Sequence, residues 1–225
     1  MIKLGRNLSD DFKMKEAYKV LRTNILFCGK NVKTILITSC VPSEGKSTIS
    51  INVAMSMAEL GKKVLLIDAD LRRPSIFKKV VSKGKLKGLT HYFSGQSEMN
   101  DIINHTDNEN LDIILTGAIP PNPSELLAGD DFKNLMEKFR DEYDYIIIDT
   151  PPLGSVIDSA VIAQNCDGAI VLLESGKNSY KFVNSVKEQL SRSGCQILGV
   201  VLNKCSPKKG NSYYYYNGNY SSAYK

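Results

Sequence analysis

Residues 34–48, TILITSCVPSEGKST, decide how the chain folds. The first six form a short apolar run rich in β-branched side chains and read as a buried strand. The last four open a helix expected over residues 47–60, which Gly61 closes. A strand that runs through a glycine-containing loop into a helix N-terminus is the context a phosphate-binding loop requires. Backbone N–H groups and the helix N-terminus then meet phosphate oxygens. In that geometry Ser43, Glu44 and Gly45 form the cradle. Lys46 reaches the β- and γ-phosphates of ATP, Ser47 ligates Mg²⁺, and Thr48 lies near the α-phosphate. The strict GxxxxGK[ST] spacing fails at one place, where Cys40 stands for the first glycine.

Outward from the loop, strands and helices alternate. Strands are expected at 63–68, 111–116, 143–149, 168–173 and 196–203. Helices are expected at 10–28, 132–140, 157–163 and 179–192, with short ones near 89–93 and 99–103. The strands are continuous apolar runs, which means a mostly parallel sheet buried on both faces. The predicted fold class is therefore α/β, a single P-loop NTPase domain with helices on both faces of the sheet. Its parts are an N-terminal helix (1–30), the nucleotide-binding domain (31–205) and a C-terminal tail (206–225).

The chain has 225 residues, enough for one domain with a sizeable core. Its longest apolar runs are strand-length, far short of the ~20 residues of a membrane helix. The N-terminus, MIKLGRNLSDDFK, lacks a hydrophobic signal segment, so a cytoplasmic location is expected. Five cysteines without a CxxC argue against a zinc ribbon or an iron–sulfur carrier. The formal charge of +5 is modest; it is weak evidence for nucleic acid and fits a partner or membrane of acidic character equally well, and no nucleic-acid partner is expected.

Two carboxylates, Asp68 and Asp70, end the strand in LLIDADLRRP, and Asp149 ends the strand in YIIIDTPP. Two residues apart in an extended chain, Asp68 and Asp70 are expected to point the same way. All three lie at carboxyl ends of parallel strands, where open α/β sheets bind ligands. A single aspartate there commonly caps a helix or forms a turn. Three beside a phosphate loop suit Mg²⁺ coordination and acceptance of a hydroxyl proton.

The C-terminus reads SYYYYNGNYSSAYK. Tyr213, Tyr214, Tyr215, Tyr216, Tyr220 and Tyr224 place six of the eleven tyrosines in the last thirteen residues. The residues between them are small or polar, so the tail is expected to be disordered. A run of phenols beside an ATP site suggests a substrate attached to its own kinase. The plainer alternative is a low-complexity tail without chemistry.

PSEGKS, LLIDADLRRP and IIIDTPP together resemble the three ATP motifs of the bacterial P-loop tyrosine kinases. PPNPSELL at 120–127 and the tyrosine-rich tail resemble that family as well, so the likeness covers nearly the whole chain. It points to the CpsD/CapB-like type of capsule and exopolysaccharide systems. In that type the kinase is a separate chain from a transmembrane co-polymerase that activates it.

The resemblance implies that Asp68 takes the tyrosine proton and that Asp70 and Asp149 hold Mg²⁺, directly or through water, while Asn203 resembles a base-contacting position of related ATPases. Asn203 reads equally well as a turn residue. An early family motif, ExxRxxR, builds a ring of subunits; here it reads Glu16, Lys19, Arg22. Lysine in the middle keeps the charge but loses bidentate pairing, and a solvated helix face explains Glu16 and Arg22 as well.

The function implied is an ATP-dependent tyrosine autokinase regulating polysaccharide synthesis and export. Its partners would be the transmembrane activator, a cognate tyrosine phosphatase and further copies of itself, and the activator would recruit it to the inner face of the plasma membrane. The alternative is a ParA/MinD-like switch ATPase. Those proteins carry a signature lysine five residues before the loop lysine, where this chain has Val41.

Overall fold

The computed structural model describes residues 2–4, 12–82 and 84–205. Strand β1 spans Lys3–Leu4 and helix α1 Phe12–Phe27. Strand β2 (Thr34–Ser39) leads through the loop into α2 (Lys46–Ala58), followed by β3 (Val64–Asp68), β4 (Val80–Val81) and α3 (Leu89–Phe93). Next come β5 (Asn104–His105), β6 (Leu111–Ile114), α4 (Pro123–Ala128), α5 (Asp130–Glu142) and β7 (Tyr145–Asp149). The chain closes with α6 (Asp158–Ala163), β8 (Gly168–Glu174), α7 (Tyr180–Ser191) and β9 (Gln196–Asn203). Single 3₁₀ turns cover Phe77–Lys79 and Met99–Ile102.

Seven strands form one sheet in the order β5-β6-β3-β7-β2-β8-β9. All neighbours are parallel except the edge pair β5–β6. Strands β3, β7 and β2 stand side by side at the centre, so the ends that carry Asp68, Asp149 and the phosphate loop are adjacent. That adjacency follows from the crossovers between strands that are not consecutive in the chain.

Alternate residues of each central strand enter opposite cores. Leu36, Leu65, Ile67, Ile146 and Ile148 pack with Phe132, Leu135, Phe139, Ile162 and Leu190 from α5, α6 and α7. Ile35, Ile37, Val64, Leu66 and Ile147 pack with Ile49, Val53 and Met57 of α2 and with Ile25 of α1. Burial on both faces explains why the strands read as unbroken apolar runs rather than alternating ones.

Four elements differ from expectation. Strands β1 and β4 hold only two residues each and pair with one another, Lys3 with Val81 and Leu4 with Val80. Strand β5 is equally short. None is long enough to carry a periodic signal. Helix α4 begins at Pro123, directly after the proline-rich PPN segment, where a fixed backbone suits the first helical turn. No helix among the described residues is long and apolar enough to cross a membrane.

Candidate active site

The loop between β2 and α2 forms one wall of a cavity of about 640 Å³. Ser43, Gly45, Lys46, Ser47 and Thr48 line it, facing Asp70, Arg73 and Lys79. Gly45 has φ +100°, and a Cβ there would lie 2.4 Å from Asn203 Nδ2, so no other residue fits without strain. The glycine therefore turns the chain just before the first residue of α2 and leaves the helix N–H groups facing the cavity.

Glu44 does not face the cavity. Its side chain is buried and accepts hydrogen bonds from the Cys40 and Val41 N–H groups at 2.9 and 3.0 Å. Its other oxygen accepts from the Glu174 N–H at 3.0 Å and from the Asn178 amide. The carboxylate braces the loop from behind and satisfies the N–H of Cys40. Asn203 adds a second brace, donating from Nδ2 to the Glu44 carbonyl at 2.8 Å and accepting from the Lys204 N–H at 2.8 Å. Lys204 then reaches the Ser43 carbonyl at 2.8 Å and Glu174 at 3.0 Å.

Asp68 is sealed beneath the cavity. One oxygen accepts from the Asp70 N–H at 3.4 Å and the other from the Ile76 N–H at 3.1 Å. Burial, reinforced by the negative charge of Asp149, raises its proton affinity well above the ordinary carboxylate range. Strand β3 ends at Asp68, so the extended geometry expected through Asp70 does not hold. Asp70 lies in the following turn, accepts the Arg73 N–H at 2.9 Å and lines the cavity.

Asp149 is also buried. Its Oδ1 accepts the Ser50 hydroxyl at 2.9 Å, while Oδ2 has no hydrogen-bond partner. Burial lifts its pKa to about 6, against the pull of the Ser47 and Ser50 hydroxyls and the Lys46 ammonium. Lys46 is shifted the opposite way. Burial lowers its pKa, while Asp149, Asp70 and Glu44 favour its charge.

Among the described residues no three His, Cys, Asp or Glu side chains gather to hold a metal by themselves. Asp68, Asp70 and Asp149 therefore do not form a metal cage of their own, and a Mg²⁺ ion there would need waters and substrate phosphate to complete its ligands. Asp149, whose Oδ2 is buried without a partner, and the Ser47 hydroxyl that acts on the same carboxylate offer oxygen ligands that fit it.

Two sets of residues at the site escaped the sequence reading. Lys79 donates to Thr48 Oγ1 at 2.6 Å, and burial lowers its pKa. It sits on a 3₁₀ turn without a pattern of its own. Arg72 forms a two-pronged contact with buried Asp158, Nε–Oδ2 at 2.7 Å and Nη2–Oδ1 at 3.0 Å, and Nη2 also reaches Ser124 Oγ at 3.0 Å. Ser124 donates to Asp158 at 2.6 Å. This strut ties the segment after Asp70 to α4 and α6, and the paired arginines of LRRP were its only sequence signal.

On α1, Lys19 pairs with Glu16 at 2.7 Å on the exposed surface. Arg22 instead turns inward and donates to the Ser56 carbonyl of α2 at 2.7 Å, leaving its buried Nε without a partner. The motif's three side chains therefore do not share one solvated face. Tyr213, Tyr214, Tyr215, Tyr216, Tyr220 and Tyr224 lie outside the described residues.

The family described as "AAA domain" matches residues 32–193. The tyrosine-protein kinase CpsD of Streptococcus agalactiae serotype Ia is 44% identical over 194 residues, covering 86% of this chain and 84% of that protein. The kinase domain of Escherichia coli tyrosine kinase ETK superposes with a TM-score of 0.79 at 34% identity, over 93% of this chain and 83% of that one. The septum site-determining protein MinD of Pyrococcus horikoshii OT3 reaches a TM-score of 0.66 at 24% identity, over 79% and 72% of the two chains. The MinD likeness shows the common fold and nothing more.

Proposed function

The chain belongs to the bacterial tyrosine-protein kinases that include CpsD, and from that premise we propose how its own residues carry out the transfer. It uses ATP, as its P-loop and its kinase relatives require. The triphosphate lies along the Ser43–Ser47 backbone, with Lys46 on the β- and γ-phosphates. Lys79 adds a second cation beside Thr48. Mg²⁺, held by Ser47, Asp149 and Asp70, would neutralise charge on the β- and γ-oxygens.

The acceptor is a tyrosine of the chain's own tail. Its phenol oxygen bonds to the γ-phosphorus as the bond to ADP breaks, and the phenol proton passes to a carboxylate. Asp68 has the raised proton affinity that suits this role. Because Asp68 is closed to solvent, the phenol reaches it only when the segment after Asp70 shifts, whereas Asp70 is open to the cavity. The observation that carries the reading is Asp149 Oδ2, buried without a partner beside the phosphate loop and its lysine.

Self-assembly through α1 is part of the proposal. Phe12, Val20 and Phe27 are exposed on the helical face that also holds Glu16 and Lys19. A second copy covering that face would bring one tail to a neighbouring site. The eight residue steps from Cys205 to Tyr213 span at most about 26–29 Å, and Lys204 already touches the Ser43 carbonyl of the loop, so the leash length alone permits transfer within one chain as well as between subunits. Each phosphotyrosine adds about −1.5 to −2 charges. Several on one tail overturn the +5 of the chain and drive neighbours apart. We assign the cycle to control of capsular or extracellular polysaccharide. A transmembrane activator would recruit the kinase to the inner membrane face, and a tyrosine phosphatase would reset the tail.

Mixing two chains tests transfer between subunits. One carries Lys46→Met with its tail intact, and the other has every tail tyrosine changed to Phe. Phosphate on the Lys46→Met tail is the expected result. An unmodified Lys46→Met tail, beside a wild-type control that phosphorylates itself, would restrict transfer to within one chain.

A further inference from the structure

A second cavity, of about 580 Å³, opens beside the nucleotide cavity and shares Arg72 and Arg73 with it. Lys78 and His91 add to its basic wall, and no Asp or Glu lines it. Arg72 is held by Asp158, but the side chains of Arg73 and Lys78 make no hydrogen bond or ion pair among the described residues. His91 Nδ1 accepts the Gly88 N–H at 3.1 Å, which leaves the neutral ring's proton on Nε2 as a donor. Phe77 and Ile119 also line the cavity and are 59% and 64% exposed.

Unpaired cations beside exposed apolar side chains define a ligand that is both aromatic and anionic. A neutral phenol has no use for the cations and would bury them without compensation. Inorganic phosphate would leave Phe77 and Ile119 uncovered. Neither Asp68 nor Asp70 lines this cavity, so it lacks a base and is not where a tyrosine reacts.

We propose that this second cavity is a phosphotyrosine subsite that holds an already modified tail tyrosine while the next one is presented to the nucleotide site. The inference rests on the kinase reading above. The phosphate meets Arg73, Lys78 and His91 through charge-assisted hydrogen bonds, and the ring lies on Phe77 and Ile119. Tyr213, Tyr214, Tyr215 and Tyr216 are consecutive. Residues two apart in an extended chain face the same way and lie about 7 Å apart, so a slide of two residues moves a product tyrosine aside and brings the next one on that side forward, Tyr214 after Tyr216. The second cavity makes and breaks no bond. Each transfer consumes its own ATP and releases ADP, and the subsite makes repeated modification of one tail faster than a first modification of another.

The test uses the full chain saturated with ADP, so that the phosphate loop is filled. Binding is measured for a labelled peptide of residues 211–225 carrying phosphate on Tyr216 and for its unmodified twin. Phenyl phosphate and inorganic phosphate serve as competitors. The phosphopeptide should bind at least about tenfold tighter than its twin, as charge-assisted contacts predict. Phenyl phosphate should compete better than inorganic phosphate, and Lys78→Glu and Phe77→Ala should each weaken binding. Both side chains are exposed, so folding is preserved.

In Mg²⁺-ATP, the wild type should accumulate multiply modified tails while unmodified tails remain, and Lys78→Glu should give a random distribution. Equal affinity for the two peptides, or unchanged binding by Lys78→Glu, would overturn the subsite. So would loss of phosphopeptide binding whenever ADP is present. A well-phosphorylated wild type with a random distribution would sink the subsite alone. A wild type with no tail phosphate would sink the kinase reading, and the binding comparison would still decide the subsite.

Discussion

Asp68 and Asp149 are register partners at the carboxyl ends of neighbouring parallel strands, and both are sealed from solvent. Two buried carboxylates side by side resist ionising together. A bound cation removes that conflict, so the free protein holds these groups at a cost to its own stability.

The cost is measurable through pH. The folded pKa of Asp149 is raised to about 6, so between the unfolded value and pH 6 the folded chain binds a proton that the unfolded chain lacks. The resulting stability is present in acid and lost as pH rises through 6. Asp149→Asn should therefore stabilise the nucleotide-free protein at pH 8 by about 2–3 kcal/mol relative to wild type, and do little at pH 4. Urea unfolding at the two pH values checks this. A variant that destabilises equally at both would show that Asp149 carries no such strain.

Asp68 and Asp70 have separable roles. If Asp68 accepts the phenol proton, Asp68→Asn should lower kcat by about 10²- to 10⁴-fold with little change in the KM for ATP. Asp70→Asn should chiefly raise the Mg²⁺ concentration needed for half-maximal rate. Steady-state kinetics with Mg²⁺ titrations would read both, and the reverse pattern would move the base to the cavity-facing Asp70.

Lys79 stands 2.6 Å from Thr48 Oγ1. Its removal should weaken ATP binding about tenfold, the scale of one charged hydrogen bond, while turnover at saturating ATP changes less. Lys46→Met should abolish turnover instead. A Lys79→Ala enzyme with wild-type nucleotide affinity would confine Lys79 to bracing the loop.

Gly45→Ala should abolish nucleotide binding, because the alanine methyl meets the Asn203 amide in a left-handed backbone. Asn203→Ala removes the clash but not the unfavourable φ of +100°. The double variant should therefore remain impaired, and fluorescent-nucleotide titration measures it. Full recovery would make the clash, rather than the backbone, the reason for glycine.

The central strands were readable because both faces are buried, so Ile146, Ile147 and Ile148 form one apolar run although they serve opposite cores. The phosphate loop was readable because GKST keeps its spacing. What the sequence concealed depends on tertiary partners. Glu44 looks like a loop residue open to ligand, yet four donors from the loop and from residues 174–178 draw its carboxylate inward. Asn203 spends its amide on the loop backbone. Arg22 is drawn under α1 by one carbonyl of α2. Alternation along a strand could not place Asp70, because β3 ends two residues before it. Lys79 and the Arg72–Asp158 strut join segments far apart in the chain, and no local pattern marks them.

The most direct test of the kinase account is mass spectrometry of the C-terminal peptide after incubation in Mg²⁺-ATP. It is run on the wild type and on Lys46→Met, each with and without the cytoplasmic segment of the activator. The account predicts phosphate on the tyrosines between 213 and 224 in the wild type only, with more when the activator segment is present. An unmodified wild-type tail, in a preparation that hydrolyses ATP, would contradict it and favour a nucleotide switch of the MinD kind.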